Sequence, residues 1–85
     1  MGNCGGDDGK PILLVFDVLG YGTHEISTMD GLKLKTVLEE LARRIRVGPS
    51  RIGDVQYRYG MLDRSKKIKY LNIPNGGVIT VKIVT

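Results

Sequence analysis

Residues 11–49 read PILLVFDVLGYGTHEISTMDGLKLKTVLEELARRIRVGP, and the architecture follows from this stretch. Residues 12–19 are rich in β-branched and apolar side chains and stop at Gly20-Tyr21-Gly22, which predicts a strand ending in a turn. Both parities of that strand are mostly apolar, so it belongs in the interior of a sheet. Residues 23–28 alternate, with His24, Ile26 and Thr28 on one face and Thr23, Glu25 and Ser27 on the other, as expected of a hairpin partner at a sheet edge. Asp30 can then act as the N-cap of a helix whose Leu34, Val37, Leu38, Leu41 and Ile45 form one apolar stripe. Lys33, Lys35, Glu39, Glu40, Arg43, Arg44 and Arg46 occupy the rest of its surface. The basic residues of the last turn suit the negative end of the helix dipole. Gly48 is positioned as a left-handed cap, and Pro49 blocks continuation.

Beyond this helix, residues 54–59 alternate Val55, Tyr57 and Tyr59 with Gln56 and Arg58, a half-buried strand ended by Gly60. Residues 61–70 read as a loop with one short strand over 67–70, because four basic residues interrupt any core pattern. Leu71-Asn72-Ile73-Pro74 leads into the turn Asn75-Gly76-Gly77. A last strand over 78–84 sets Ile79, Val81 and Ile83 against Val78, Thr80, Lys82 and Val84. Residues 1–10 hold four glycines and two aspartates without apolar periodicity, so the chain divides into a flexible tail, 1–10, and one domain, 11–85.

Size and composition restrict what such a domain can do. With 85 residues, 41% of them apolar and 26% charged, the chain suits one soluble domain with little room for a large catalytic cavity. No apolar run approaches the roughly 20 residues that span a bilayer. Cys4 is the single cysteine, and no Cys/His cluster has metal-ligand spacing, so neither a disulfide nor a metal nor any other cofactor is expected. A reducing cytoplasmic compartment fits. The net charge of +4 contains Asp7 and Asp8; residues 10–85 alone carry 13 basic against 7 acidic side chains, or +6. Arg43, Arg44, Arg46, Arg64, Lys66, Lys67 and Lys69 concentrate that charge, which favours an acidic protein partner or an anionic surface.

In this order, the hairpin, the helix with its Pro-containing exit, the Y-R-Y-G of Tyr57 to Gly60 and the closing Y-L-N-I-P-N-G-G-V-I-T-V-K-I-V of Tyr70 to Val84 resemble the ubiquitin-like family. The resemblance covers nearly nine tenths of the chain. It implies an α+β fold, the ubiquitin-like β-grasp, with a mixed four- to five-stranded sheet and one main helix packed across it. It also implies a non-catalytic module that works by binding proteins. Conjugated members and sulfur carriers of the same superfold end in Gly-Gly, whereas this sequence closes on Lys82-Ile83-Val84-Thr85, so it is not expected to be conjugated. The family commonly presents a small apolar patch on the exposed sides of its third and last strands. At the matching positions stand Gln56 or Arg58 and Thr80 or Lys82, so the contact surface implied is polar and basic: Arg58, Thr80 and Lys82, with Lys66, Lys67 and Lys69 at its margin.

Two further readings concern the same chain. Met1-Gly2-Asn3-Cys4 offers Gly2 for myristoylation after loss of Met1 and Cys4 for a second acyl chain, which together would tether an adaptor to a membrane. Gly6 stands where Ser or Thr is favoured, and Asp7 and Asp8 would be repelled by anionic lipid. Ras-association domains of similar shape use the edge strand and basic residues against a small GTPase, which would assign that contact to residues 23–28 with Lys33 and Lys35. Nucleic acid is the weakest of the partner classes, resting on a generic charge signal. His24 has no serine or cysteine positioned as a nucleophile partner and reads as a surface or turn histidine. Asp17 is expected to be either a satisfied polar residue or part of an open sheet face.

Overall fold

The computed structural model describes residues 9–58 and 60–84. Strand β1 (Pro11–Val18) turns back through Gly20 and Gly22, both at φ 86°, into β2 (Gly22–Met29). Glycine is needed there because side chains with a Cβ rarely adopt that backbone conformation. The two strands pair antiparallel, with Leu14 opposite Ile26 and Phe16 opposite His24. Helix α1 (Leu34–Ile45) follows, then a 3-10 turn (Pro49–Arg51), β3 (Ile52–Tyr57), the two-residue β4 (Gly60–Met61), a second 3-10 turn (Ile68–Tyr70) and β5 (Gly77–Ile83).

The sheet order is β2-β1-β5-β3-β4. β1 and β5 run parallel, and the remaining pairs are antiparallel. This is the mixed α+β sheet expected, with five strands, β2 at one edge and β1 inside. The long crossover that a parallel pair requires is supplied by everything between β2 and β5, including α1.

Period-two alternation sends Leu14, Phe16 and Val18 of β1 and Ile79 and Val81 of β5 to the same side, where they meet Leu34, Val37, Leu38 and Leu41 of α1. Phe16, Leu14, Leu34, Leu41 and Ile79 are fully buried, each contributing about 2 kcal/mol of apolar transfer free energy. The predicted helical stripe is therefore the core contact, although Ile45 packs only at its margin.

Four local expectations are corrected. Asp30 does not cap α1: its Oδ1 accepts the Lys10 N–H at 2.7 Å, and the N-cap is Lys33, with no side-chain cap bond. The first helical N–H groups are satisfied by a neighbouring loop instead, Leu34 donating to the Lys66 carbonyl and Lys35 to that of Arg64. At the other end Arg46, at φ 63°, takes the left-handed cap position, and Gly48 (φ −67°) opens the following 3-10 turn. Residues 67–70 form no strand. Lys67 makes a single antiparallel bridge to Lys33, and Ile68–Tyr70 curls into the second 3-10 turn because Ile68 is drawn completely into the core. Strand β3 starts two residues earlier than alternation indicated, since a register shift between Ile52 and Val55 interrupts the period.

Candidate interaction surfaces

The helix covers one face of the sheet and leaves the other open. On that open face Val15 lies between Glu25 of β2 and Val78 of β5, and the next row runs Thr23, Asp17, Thr80 and Gln56. Val78 is 52% exposed. Asp17 is exposed on this face, the second of its two expected positions. The β2–β1 half of this face carries Asp17 and Glu25, while the β5–β3 half carries Gln56, Thr80 and the exposed Lys82, with Arg58 just beyond the end of β3 and the exposed Asp54 as the acidic residue of that strand.

Arg58 has φ 55°, and its guanidinium sits 5.5 Å from the centroid of the Tyr57 ring. The two residues line a shallow basin with Pro74, Asn75, Gly76, Gly77 and Val78. Asn75 is committed to structure, its Oδ1 accepting the Leu13 N–H at 2.6 Å. Arg58 and Lys82 belong to opposite ends of the β5–β3 pair, with Thr80 between them. Tyr57 packs partly against the core, as its parity indicated; Tyr59 lies outside the described residues, as do Gly2 and Cys4.

Lys66, Lys67 and Lys69 sit against the start of α1. Their segment runs antiparallel to residues 30–35: Leu34 N–H bonds the Lys66 carbonyl at 3.1 Å, Ile68 N–H that of Leu32 at 3.0 Å, and Lys69 N–H that of Asp30 at 2.8 Å. These backbone bonds lay the segment of Lys33 and Lys35, which by sequence belong to a separate contact, beside that of Lys66, Lys67 and Lys69, with Lys33 directly opposite Lys67. The pairing depends on residues about 35 apart in the chain, so no local pattern could have revealed it. Arg64 belongs to the framework, because its guanidinium donates to the Gly53 carbonyl and ties the loop to the irregular part of β3.

The β2 edge has different neighbours. A groove of about 240 Å³ between β2 and α1 is lined by Ile26, Ser27, Thr28, Leu32, Thr36 and Val37, with Glu40, Arg43 and Arg44. Arg44 donates to the edge carbonyl of Glu25 at 2.9 Å, and Glu40 accepts from Arg43 at 2.7 Å. The two arginines hold the Glu40 carboxyl below the usual carboxylate range, with the Arg43 hydrogen bond the main cause. Lys35 instead lines a small pocket on the opposite flank of α1, with Leu38, Glu39, Pro49 and Arg64. The cations nearest the free edge are therefore Arg43 and Arg44.

His24 Nε2 is 3.0 Å from the Tyr21 carbonyl, to which it donates from within the hairpin. Among the described residues, no group of three or more His, Cys, Asp or Glu side chains could hold a metal ion, and no helix is long and apolar enough to cross a membrane.

The backbone can be compared directly with solved structures. The ubiquitin of Caldiarchaeum subterraneum superposes with a TM-score of 0.79 over 88% of this chain and 95% of its own, at 12% identity. The fold is the ubiquitin-like β-grasp. A structure described as a molecular mimic of SUMO that promotes DNA repair matches at 0.76 over 85% of this chain and 90% of its own, with 14% identity. A designed protein based on ubiquitin reaches 0.75 at 16% identity, covering 86% of this chain and 88% of its own. No protein-family model and no curated protein matches the sequence. At 12–16% identity, the feature in common is backbone geometry.

Proposed function

We propose that this β-grasp domain is a non-catalytic protein-interaction module that docks a partner on its open sheet face. The observation that supports this most is the one-sided cover: α1 buries one face, while the other exposes Val78 beside Thr80, Gln56 and Lys82. An apolar centre with a charged rim is the usual anatomy of a contact patch. Because Arg58 and Lys82 flank the β5–β3 half, the partner presents acidic side chains there, and any basic group it carries meets Asp17 and Glu25. Such charges set encounter rate and orientation more than affinity. The test is quantitative affinity capture from the native cell with the wild-type domain and with Arg58→Glu/Lys82→Glu, the captured partner then being titrated against both. Loss of binding in the double variant supports this face; a partner held equally well by both removes it.

A second reading uses the β2 edge, where backbone groups beyond the β1 pairing can receive an extended segment of an acidic protein such as a small GTPase. It is favoured by the adjoining groove with its apolar floor of Ile26, Leu32 and Val37. Arg43 and Arg44 are the relevant cations, so Arg43→Glu/Arg44→Glu should remove this contact, whereas Lys33→Glu/Lys35→Glu should affect it weakly.

A further inference from the structure

The lysines gathered at the start of α1 form a surface separate from both of these. Lys33 and Lys67 are directly opposite in an antiparallel bridge, an arrangement that sets the two Cβ atoms about 5 Å apart on one side of the ladder. Like charges so arranged oppose folding. Lys35, Lys66 and Lys69 add three more cations to the same backbone pairing. The ion pairs found among the described residues join Glu40 to Arg43 and Arg44 and do not involve this group. Lys33 and Lys67, with Lys69 close by in the chain, therefore gather positive charge at a cost to the fold, whereas Lys66 has the Asp63 carboxylate near it and Lys35 lies beside Glu39. An external anion would offset that repulsion.

We infer that this lysine surface binds an anionic membrane. The cations are all lysines, compact charges without the planar fork that reads a single carboxylate or phosphate bidentately, which suits attraction to a diffuse charged surface. Tyr70 lies at the rim, 64% exposed, with the Lys69 ammonium 5.3 Å from its ring centroid. An amphipathic ring beside a lysine is suited to a headgroup layer, where one end is apolar and the other wet. The chain ahead of the domain also attaches here: Lys10 exchanges two hydrogen bonds with Asp30, whose carbonyl accepts the Lys69 N–H. A tether carried on that segment would leave the domain beside the lysines. The inference does not require one.

The experiment is sedimentation of the full, unacylated chain with vesicles of phosphatidylcholine alone and of phosphatidylcholine with about one-third phosphatidylserine, at low ionic strength. Binding to the anionic vesicles alone is expected, weakening as salt is added. With roughly fivefold in partitioning per lysine, Lys33→Glu/Lys67→Glu should lower it by about 20-fold or more. Arg58→Glu/Lys82→Glu should retain it to within about threefold beyond the general change in net charge. The single variant Lys33→Glu replaces a like-charge pair by an opposite one, so its melting temperature should hold or rise while vesicle binding falls, separating lost contact from lost folding. No sedimentation with anionic vesicles overturns the inference. Equal losses in the two double variants, or capture of a single-stranded oligonucleotide while vesicles are ignored, would overturn it as well. Because the sheet-face variant is distinct, failure here leaves the protein-docking proposal to its own test.

Discussion

At the scale of single residues, the least replaceable positions are those where backbone and side chain come closest. A Cβ on Gly53 would lie 2.9 Å from Val84 Cγ2 and 3.1 Å from the Lys82 carbonyl oxygen. Gly53→Ala should therefore cost about 1–3 kcal/mol, seen as a lower urea midpoint at unchanged slope. Asp63 makes a pH-dependent contribution. Its Oδ1 accepts from both Ser65 Oγ at 2.6 Å and Ser65 N–H at 2.9 Å, and these bonds, the hydroxyl first, hold the carboxyl below the usual carboxylate range. A carboxyl whose pKa falls on folding stabilises the native state above the ordinary aspartate range and loses that effect as pH drops through the lowered pKa. Ser65→Ala should raise the Asp63 midpoint in a carboxyl-carbon NMR titration and reduce the acid dependence of stability. The Asp63 and Ser65 pairing joins residues two apart within the loop read over 61–70, whereas the contact at Gly53 required the position of β5.

At the scale of elements, α1 combines a well-specified stripe with poorly specified ends. Its buried leucines and valine fall at helical spacing whatever surrounds them, which is why they could be read directly. Its caps could not, because tertiary partners replaced the local ones: the 64–66 loop supplies carbonyls at the N-terminus, and chain direction toward β3 turns Arg46 into the left-handed conformation before Gly48 is reached. Such a conformation costs a residue with a Cβ roughly 1 kcal/mol. Arg46→Gly should recover up to about 1 kcal/mol, measured by thermal or urea unfolding. The β2 edge is partly guarded by Arg44, whose bond to the Glu25 carbonyl occupies an acceptor that an incoming strand would need. Arg44→Ala should leave that carbonyl to solvent and quicken amide exchange in β2, an effect readable by hydrogen–deuterium exchange.

At the scale of the whole molecule, one helix over one sheet leaves the core without redundancy. Leu38 is 3% exposed between α1 and the sheet, and Leu38→Asp would bury a carboxylate without a partner; a cost of about 4 kcal/mol or more should abolish the cooperative melting transition followed by circular dichroism. The sequence by itself determined the hairpin, the helical stripe, the final strand and the excess of positive charge, because each depends on periodicity or composition within a short window. Tertiary structure alone decided that β1 and β5 lie side by side, bringing Asp17 next to Thr80 on the open face. It also decided that Lys33 stands opposite Lys67, and that Arg43 and Arg44 stand beside the β2 edge. The physical reason is that strand and helix periods specify which way a side chain faces along its own element. Which distant residue it meets is settled by packing and by backbone hydrogen bonds between segments that local patterns do not connect.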